Sequence, residues 1–339
     1  MILLIKIEKS GQHTPSNAIF FIYDKITCQI NSPWMADMMT LKNKKYRVIR
    51  FVLVIVTTFF YAIAYAQPIV GQFFGIWDNH NQHWQQKFRS DTPFDKLNRL
   101  YIAFGKIVKT NGHFTIAFDG SADHVQQLIE RVQTQNPTAD IFLTVGGDGG
   151  AQSYGGAAND PDFAENVLSF LNEYGFNGLD IDWENSLNQA NLDQLVKNVY
   201  ATLHANHKKL TLDVWPFPVS AYDMPVLKNN LDQINIMSYG TGLALSDCAT
   251  AFSNAGFPLN QMIGGIETEL GYDQFGGTTD TLGASGTIAQ KANYALQNNM
   301  AGMMSWRLDN DYATTDHPNT PTYQGALQLW NTLFPSSQH

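Results

Sequence analysis

A closed (β/α)8 barrel, the TIM-barrel architecture, is the fold class that the sequence predicts for residues 67–339 of this 339-residue chain, on three observations. Short β-branched or aromatic runs ending at Gly, Asp or Trp alternate with longer helix-period stretches throughout. Eight such units occupy about 270 residues, the size of one such barrel. No Pro-rich or Ser-rich linker divides them. An open doubly wound sheet is the competing arrangement, but the turn after the first strand, GIWDNHNQHW, lacks the glycine cluster that such a sheet uses to hold phosphate.

The strands are read, in order, over 69–77 (IVGQFFGIW), 97–105 (LNRLYIAFG), 140–147 (DIFLTVGG), 177–184 (NGLDIDWE), 210–216 (LTLDVWP), 233–240 (QINIMSYG), 261–267 (QMIGGIE) and 301–309 (AGMMSWRLD). Helix signals fall between them in HVQQLIERVQTQ, DPDFAENVLSFLNEYG, LDQLVKNVYATLHANHKK, TIAQKANYALQNN and TYQGALQLWNTLF, with Asp160 and Pro161 suited to a helix start. Only about 35 residues separate the last two strands, so no extra α+β insertion is expected there.

Residues 1–66 stand apart as an N-terminal extension. The apolar run FVLVIVTTFFYAIAYA (51–66) follows Lys42, Lys44, Lys45, Arg47 and Arg50, the basic-then-apolar order of a secretory signal. Ala64, Tyr65 and Ala66 supply a small-x-small cleavage site before Gln67. Removal of 1–66 on export, a secreted domain 67–339 and no stable membrane contact after cleavage are the expectations. An uncleaved membrane anchor is the alternative, since the run approaches spanning length.

Eight of the 21 Lys and Arg and three of the 30 Asp and Glu lie in residues 1–66, leaving 13 basic against 27 acidic residues, a formal −14. That acidity argues against nucleic acid as a partner. Cys28 falls in the extension, so Cys248 is alone in the barrel and is read as a packing residue. No metal is expected. The D-x-D-x-E spacing from Asp180 to Glu184 begins like a calcium loop, but Asn185 stands where the turn needs Gly and Asn191 where it needs Glu. The H-x-x-H pairs, His80 with His83 and His204 with His207, lack a third ligand. GGDGG (146–150) lacks the following Lys-Ser or Lys-Thr of a phosphate cradle and reads as a flexible loop at the barrel mouth.

The most informative stretch is GFNGLDIDWE (175–184). On an extended chain Asp180, Asp182 and Glu184 share one face, and Leu179, Ile181 and Trp183 share the other. Three carboxylates about 7 Å apart repel one another, and no Lys or Arg alternates with them. A solvated edge strand is the plain explanation. The flanking helix patterns favour a buried parallel strand instead, with the acids rising towards the C-terminal mouth where such barrels do chemistry.

NGLDIDWE closely resembles the D-G-x-D-x-D-W-E signature of the chitinases and their relatives in glycoside hydrolase family 18. YIAFG (101–105) resembles that family's second strand, LTVGG (143–147) its third, NIMSYG (235–240) its sixth and GMMSWRLD (302–309) its eighth. The resemblance runs from about Val70 to about Phe334. It implies a retaining hydrolase of β-1,4 bonds next to N-acetylglucosamine, in chitin or chitooligosaccharides, that uses the substrate's own acetamido group as nucleophile. It also implies roles. Glu184 is the general acid and then base, Asp182 orients the acetamido group, and Asp180 supports it from below, sharing a proton with Asp182 so that Glu184 stays protonated. Tyr239 donates to the acetamide oxygen, Met237 shapes the pocket, and Trp306 is the floor under the sugar. Phe104 and Trp215 are candidate walls; Trp77 and Trp84 read as surface aromatics. No cofactor is called for and a monomer is expected.

Asn177 and Gly240 depart from the family pattern, where carboxylates are usual. Two other readings stay open: an endo-β-N-acetylglucosaminidase acting on N-glycans or peptidoglycan, and a chitin-binding, lectin-like protein without turnover.

Overall fold

The structure, a computed structural model, describes residues 4–5, 28–29, 67–77, 83–147, 153–239, 244–269, 279–317 and 320–335. The chain divides into two compact units, Met1–Ala66 and Gln67–His339. In the first, Leu4–Ile5 pairs antiparallel with Cys28–Gln29; the expected signal segment lies outside the described residues. No described helix is long and apolar enough to cross a membrane.

The second unit is the barrel. Its strands are β1 (Ile69–Gly75), β2 (Arg99–Thr110), β3 (His113–Phe118), β4 (Asp140–Gly146), β5 (Gly178–Asp182), β6 (Lys209–Val214), β7 (Gln233–Ile236), β8 (Met262–Glu267) and β9 (Gly302–Trp306). All but β3 pair in parallel with their neighbours in chain order, and β9 closes the barrel by pairing with β1. Each of the eight strands read from the sequence is present. β3 was not foreseen: β2 runs on past Gly105 and turns back through Asn111 and Gly112 into an antiparallel hairpin, with Gly105 opposite Phe118. Both turn residues have positive φ, 53° and 92°, which is the two-residue hairpin geometry that Asn-Gly favours.

Helices α1 (Trp84–Lys87), α2 (Ala122–Gln135), α3 (Tyr154–Ala158), α4 (Phe163–Tyr174), α5 (Gln189–Ala205), α6 (Met224–Asn230), α7 (Leu245–Asn254), α8 (Thr287–Gln297) and α9 (Gln324–Leu333) connect the strands. Their ends follow local chemistry. The Asn188 side chain accepts from Asn191 N to start α5, and Asp223 accepts from Val226 N ahead of Pro225 to start α6. Gly175, at φ 78°, ends α4. Between β8 and β9, α8 is the one helix of eight residues or more among the described residues, which contain no α+β insertion.

Alternation along each strand makes two apolar layers. Outward residues such as Val70, Phe74, Leu100, Ile102, Leu179 and Ile181 pack under the helices. Inward residues Phe73, Tyr101, Phe142, Met237, Tyr239, Ile263 and Met304 fill the barrel. Each large side chain so buried contributes about 1.5–3 kcal/mol, which suits a fold that no disulfide supports among the described residues. Cys248 packs in the outer layer, where burial pushes its thiol up to about 11.

Candidate active site

β5 places the three acids at graded depths. Asp180 is fully buried, Asp182 is 5 % exposed and Glu184, just past the strand end, is half-buried. Asp180 accepts hydrogen bonds from Thr211 Oγ1 at 2.5 Å, Thr144 Oγ1 at 3.0 Å and Asn235 Nδ2 at 3.2 Å. Below it, Tyr101 OH donates to Asn235 Oδ1 at 3.2 Å and accepts from Arg99 Nη1 at 3.2 Å. Burial raises the Asp180 carboxyl, and the bonds from Thr211, Asp213 and Thr144 and the Arg99 charge hold it down.

A fourth acid, the buried Asp213, joins them from the neighbouring strand. It lies on β6, 4 % exposed, on the same face as Thr211. A hydrogen bond between its carboxyl and that of Asp180 raises Asp213 and lowers Asp180. Burial lifts Asp213 well above the usual range, and the charges of Asp180 and Asp182 add to that. The signal was available: Thr211, Asp213 and Trp215 alternate into the barrel as Asp180 and Asp182 do.

The acid strand is gripped from beside and behind. Tyr154 OH donates to both Val145 O and Asp182 O at 3.0 Å, and Gly147 N donates to Asp182 O at 3.0 Å. Gly146 makes this possible. A Cβ there would stand 1.9 Å from Asp182 O, and one at Gly147 would stand 2.8 Å from the Phe104 ring. These two glycines are therefore packed rather than flexible; residues 148–150 of GGDGG lie outside the described residues. Outside the barrel, Trp183 stacks on Tyr154 with ring centroids 4.3 Å apart and donates to Asn185 O at 2.8 Å.

Five residues expected at the site, Trp306, Phe104, Trp215, Met237 and Tyr239, come together in one inward cluster with Phe73 and Tyr101. Trp77 joins them, contrary to its reading as a surface aromatic: it stacks on Trp306 at 5.8 Å and 7°, and on Phe104 at 5.2 Å. Its indole also lies 4.5 Å from the Arg307 guanidinium. Trp84 is also not a surface residue. It is 3 % exposed outside the barrel, against Phe74 and His124. The Ala103–Phe104 and Trp306–Arg307 peptide bonds are cis.

A second acidic group lies around β8 and β9. Glu269 Oε2 accepts from Trp306 Nε1 at 3.1 Å, and its Oε1 accepts from Asn310 Nδ2 at 2.6 Å and Arg307 Nη2 at 3.3 Å. Arg307 Nη1 also donates to Asp309 at 2.8 Å, which Lys87 approaches at 3.6 Å, while Asp309 Oδ1 accepts from Gly75 N. Lys291 pairs with Asp280 at 2.8 Å, and Asp280 accepts from Glu267 N. Glu267 is fully buried, and burial drives its carboxyl well up.

Asn177, the first departure from the family pattern, is outside the acid column: its Oδ1 accepts from Ile141 N at 2.8 Å and so ties the residue before β5 to the start of β4. Gly240 and His80 lie outside the described residues. His204 stacks on Tyr200. Among the described residues one group has metal-ligand spacing, His113 with Asp160 and Asp162, on the hairpin side and away from the acids. Asp160 is already occupied by Phe114 N and Asp162 N.

The family model for glycosyl hydrolases family 18 matches residues 71–261. Mouse chitotriosidase-1 is 27 % identical over 185 residues, 48 % of this chain and 39 % of that protein, so the chain spans well under half the length of this curated relative. A variant of the class V chitinase from Nicotiana tobaccum, solved in complex with NAG4, superimposes with a TM-score of 0.62 at 18 % identity, covering 79 % of this chain and 99 % of that one. A chitinase-like agglutinin from Robinia pseudoacacia superimposes with a TM-score of 0.60 at 16 % identity, covering 78 % and 99 %.

Proposed function

The chain belongs to glycosyl hydrolases family 18, and from that premise we propose that it hydrolyses β-1,4 bonds next to N-acetylglucosamine, in chitin or chitooligosaccharides, with retention of configuration. The observation that carries the reading is the column Asp180, Asp182, Glu184, graded from buried to half-buried along and just past β5, in a barrel whose inward cluster holds Trp306, Phe104, Trp77 and Trp215.

Cleavage needs a proton for the leaving oxygen and charge stabilisation at the anomeric carbon. Glu184, the outermost acid, supplies the proton. The leaving C–O bond breaks as the substrate's acetamido oxygen closes on the anomeric carbon, giving an oxazolinium ion. Asp182 holds the acetamido N–H and compensates the positive charge. Tyr239 donates to the acetamide oxygen before it attacks. Glu184, now a carboxylate, takes a proton from water as that water opens the ring from the same face. The indole of Trp306, oriented by Glu269, packs beneath the sugar's C–H face. Export of residues 67–339 after removal of 1–66 belongs to the same proposal.

Hydrolysis of soluble N-acetylglucosamine oligomers by wild type and Glu184→Gln tests the reading. A large loss in the variant and a β-anomer as first product are expected. A wild type as slow as the variant would leave sugar binding without turnover, and an α-anomer would remove the acetamido-assisted route. Product profiles on chitin, N-glycans and peptidoglycan choose among the polymers that present this sugar.

A further inference from the structure

Asp213 has no part in the chemistry just described, yet it stands inside the reacting column. The β5 and β6 registers pair Asp180 with Thr211 and Ile181 with Leu212. Asp213 is thus the next inward residue of β6 after Thr211, at the height of Asp182 and opposite Asn235 on β7. Two buried carboxyls joined by a hydrogen bond, as Asp180 and Asp213 are, require one proton between them. The partners decide which keeps it. Asp180 accepts from Thr211, Thr144 and Asn235 and so is surrounded as an anion. Asp213 has fewer donors: the Asn235 amide also bonds to it and lowers it, but its Oδ1 is buried without a hydrogen-bond partner among the described residues, which suits a neutral acid.

We propose that Asp213 is a positioning residue for the hydrolysis: a neutral carboxyl that donates to Asp180 and thereby leaves Asp182 ionised beneath the acetamido group. The proposal rests on the functional reading above. It replaces a proton shared within β5 by one held on the neighbouring strand, so that Asp182 need not give up its charge to relieve Asp180. The titratable and charged groups acting on this site are Asp180, Asp182 and Glu184 from β5, Tyr101 and, beneath it, Arg99 from β2, Tyr154 from α3, and Tyr222 from the segment after β6. Burial raises the tyrosine hydroxyls, so they stay neutral donors where the acids work.

The test is a set of pH profiles of kcat and KM on a soluble N-acetylglucosamine oligomer for wild type, Asp213→Asn and Asp213→Ala. Asn keeps an N–H for Asp180 and cannot ionise. It is expected to keep kcat within about threefold and to carry its activity to higher pH than wild type. Ala removes the donor; kcat is expected to fall about tenfold to a hundredfold with KM little changed and the pH optimum displaced. Equal losses in Asn and Ala overturn the proposal, as does an Ala variant with wild-type kcat or a loss that leaves the pH profile in place. If Ala does not fold, Asn decides: a kcat below about a tenth of wild type overturns it. The protonation of Asp213 is read separately from its carboxyl ¹³C shift in the folded wild type at neutral pH. An ionised Asp213 sinks the proposal whatever the activity, whereas a wild type no faster than Glu184→Gln sinks only the functional reading.

Discussion

Two groups of acids occupy the barrel's C-terminal half, and they are balanced in different ways. Around β8 and β9, Glu269, Asp280 and Asp309 meet cations: Lys291 at 2.8 Å from Asp280, and Arg307 at 2.8 Å from Asp309 and 3.3 Å from Glu269. On β5 and β6, Asp180 and Asp213 meet hydroxyls, an amide and each other, and Arg99 acts on Asp180 from deeper in the barrel. An ion pair fixes charge, because removing either partner strands the other in a medium that solvates it poorly. A carboxyl balanced by a proton can change state within an unchanged frame. The first group therefore suits holding Trp306 and the second suits chemistry that moves protons.

The contrast can be broken at several points. The largest effect is expected at the tip of the proton-balanced column: Glu184→Gln should lower kcat by about 10²- to 10⁴-fold while thermal unfolding stays within a few degrees of wild type. A matching loss of stability would place Glu184 with the frame. Arg307→Met should do the reverse. Leaving Asp309 buried without its guanidinium should cost about 3–5 kcal/mol, read as a melting point lower by roughly 10 °C; a shift under about 2 °C would dissolve the distinction. Glu269→Ala lies between the two, since the lost acceptor frees the Trp306 indole. A fall of about tenfold in kcat/KM is expected, recovered in part by Glu269→Gln.

Asp311 sharpens the comparison with the smallest effect. It is fully buried and accepts from Gly325 N and Ala326 N at the start of α9, and burial pushes its carboxyl up to about 7. An exposed Asp titrates near about 3.9, so the folded chain binds this proton more tightly than the unfolded one. Its contribution to stability is full below about pH 4 and is lost as pH rises through 7. Asp311→Asn should flatten the fall in unfolding free energy between pH 5 and pH 7 by on the order of 1 kcal/mol, measured by denaturant titration at each pH.

Much of the barrel was legible because each strand ends at a residue that stops it. β1, β4 and β5 end at Gly75, Gly146 and Asp182, one or two residues inside the runs read to 77, 147 and 184. Asn111 and Gly112 carry the hairpin's signal, but the barrel part of β2 ends at Gly105 and the run beyond it pairs only with β3, outside the eight-unit pattern. α6 and α7 were missed for a different reason. MPVLKNN is short and LSDCATAFSN is rich in small and polar residues, so tertiary packing rather than periodicity defines them. The acid column was legible from alternation alone. Asp213 was not read from it because a lone Asp in LTLDVWP gains meaning only when register sets it beside β5. Trp77 was misjudged because its strand ends at Gly75, and sequence does not say which way the chain leaves.

The forked hydroxyl of Tyr154 has a mechanical consequence. By holding the carbonyls of Val145 and Asp182 together it staples β4 to β5 at their exit ends, and Gly147 N adds a second tie to the same oxygen. The ledge from which Glu184 projects is stiff as a result. Under the proposed hydrolysis, a bound sugar ring would then do the bending, because the strand end that carries the acids is tied twice.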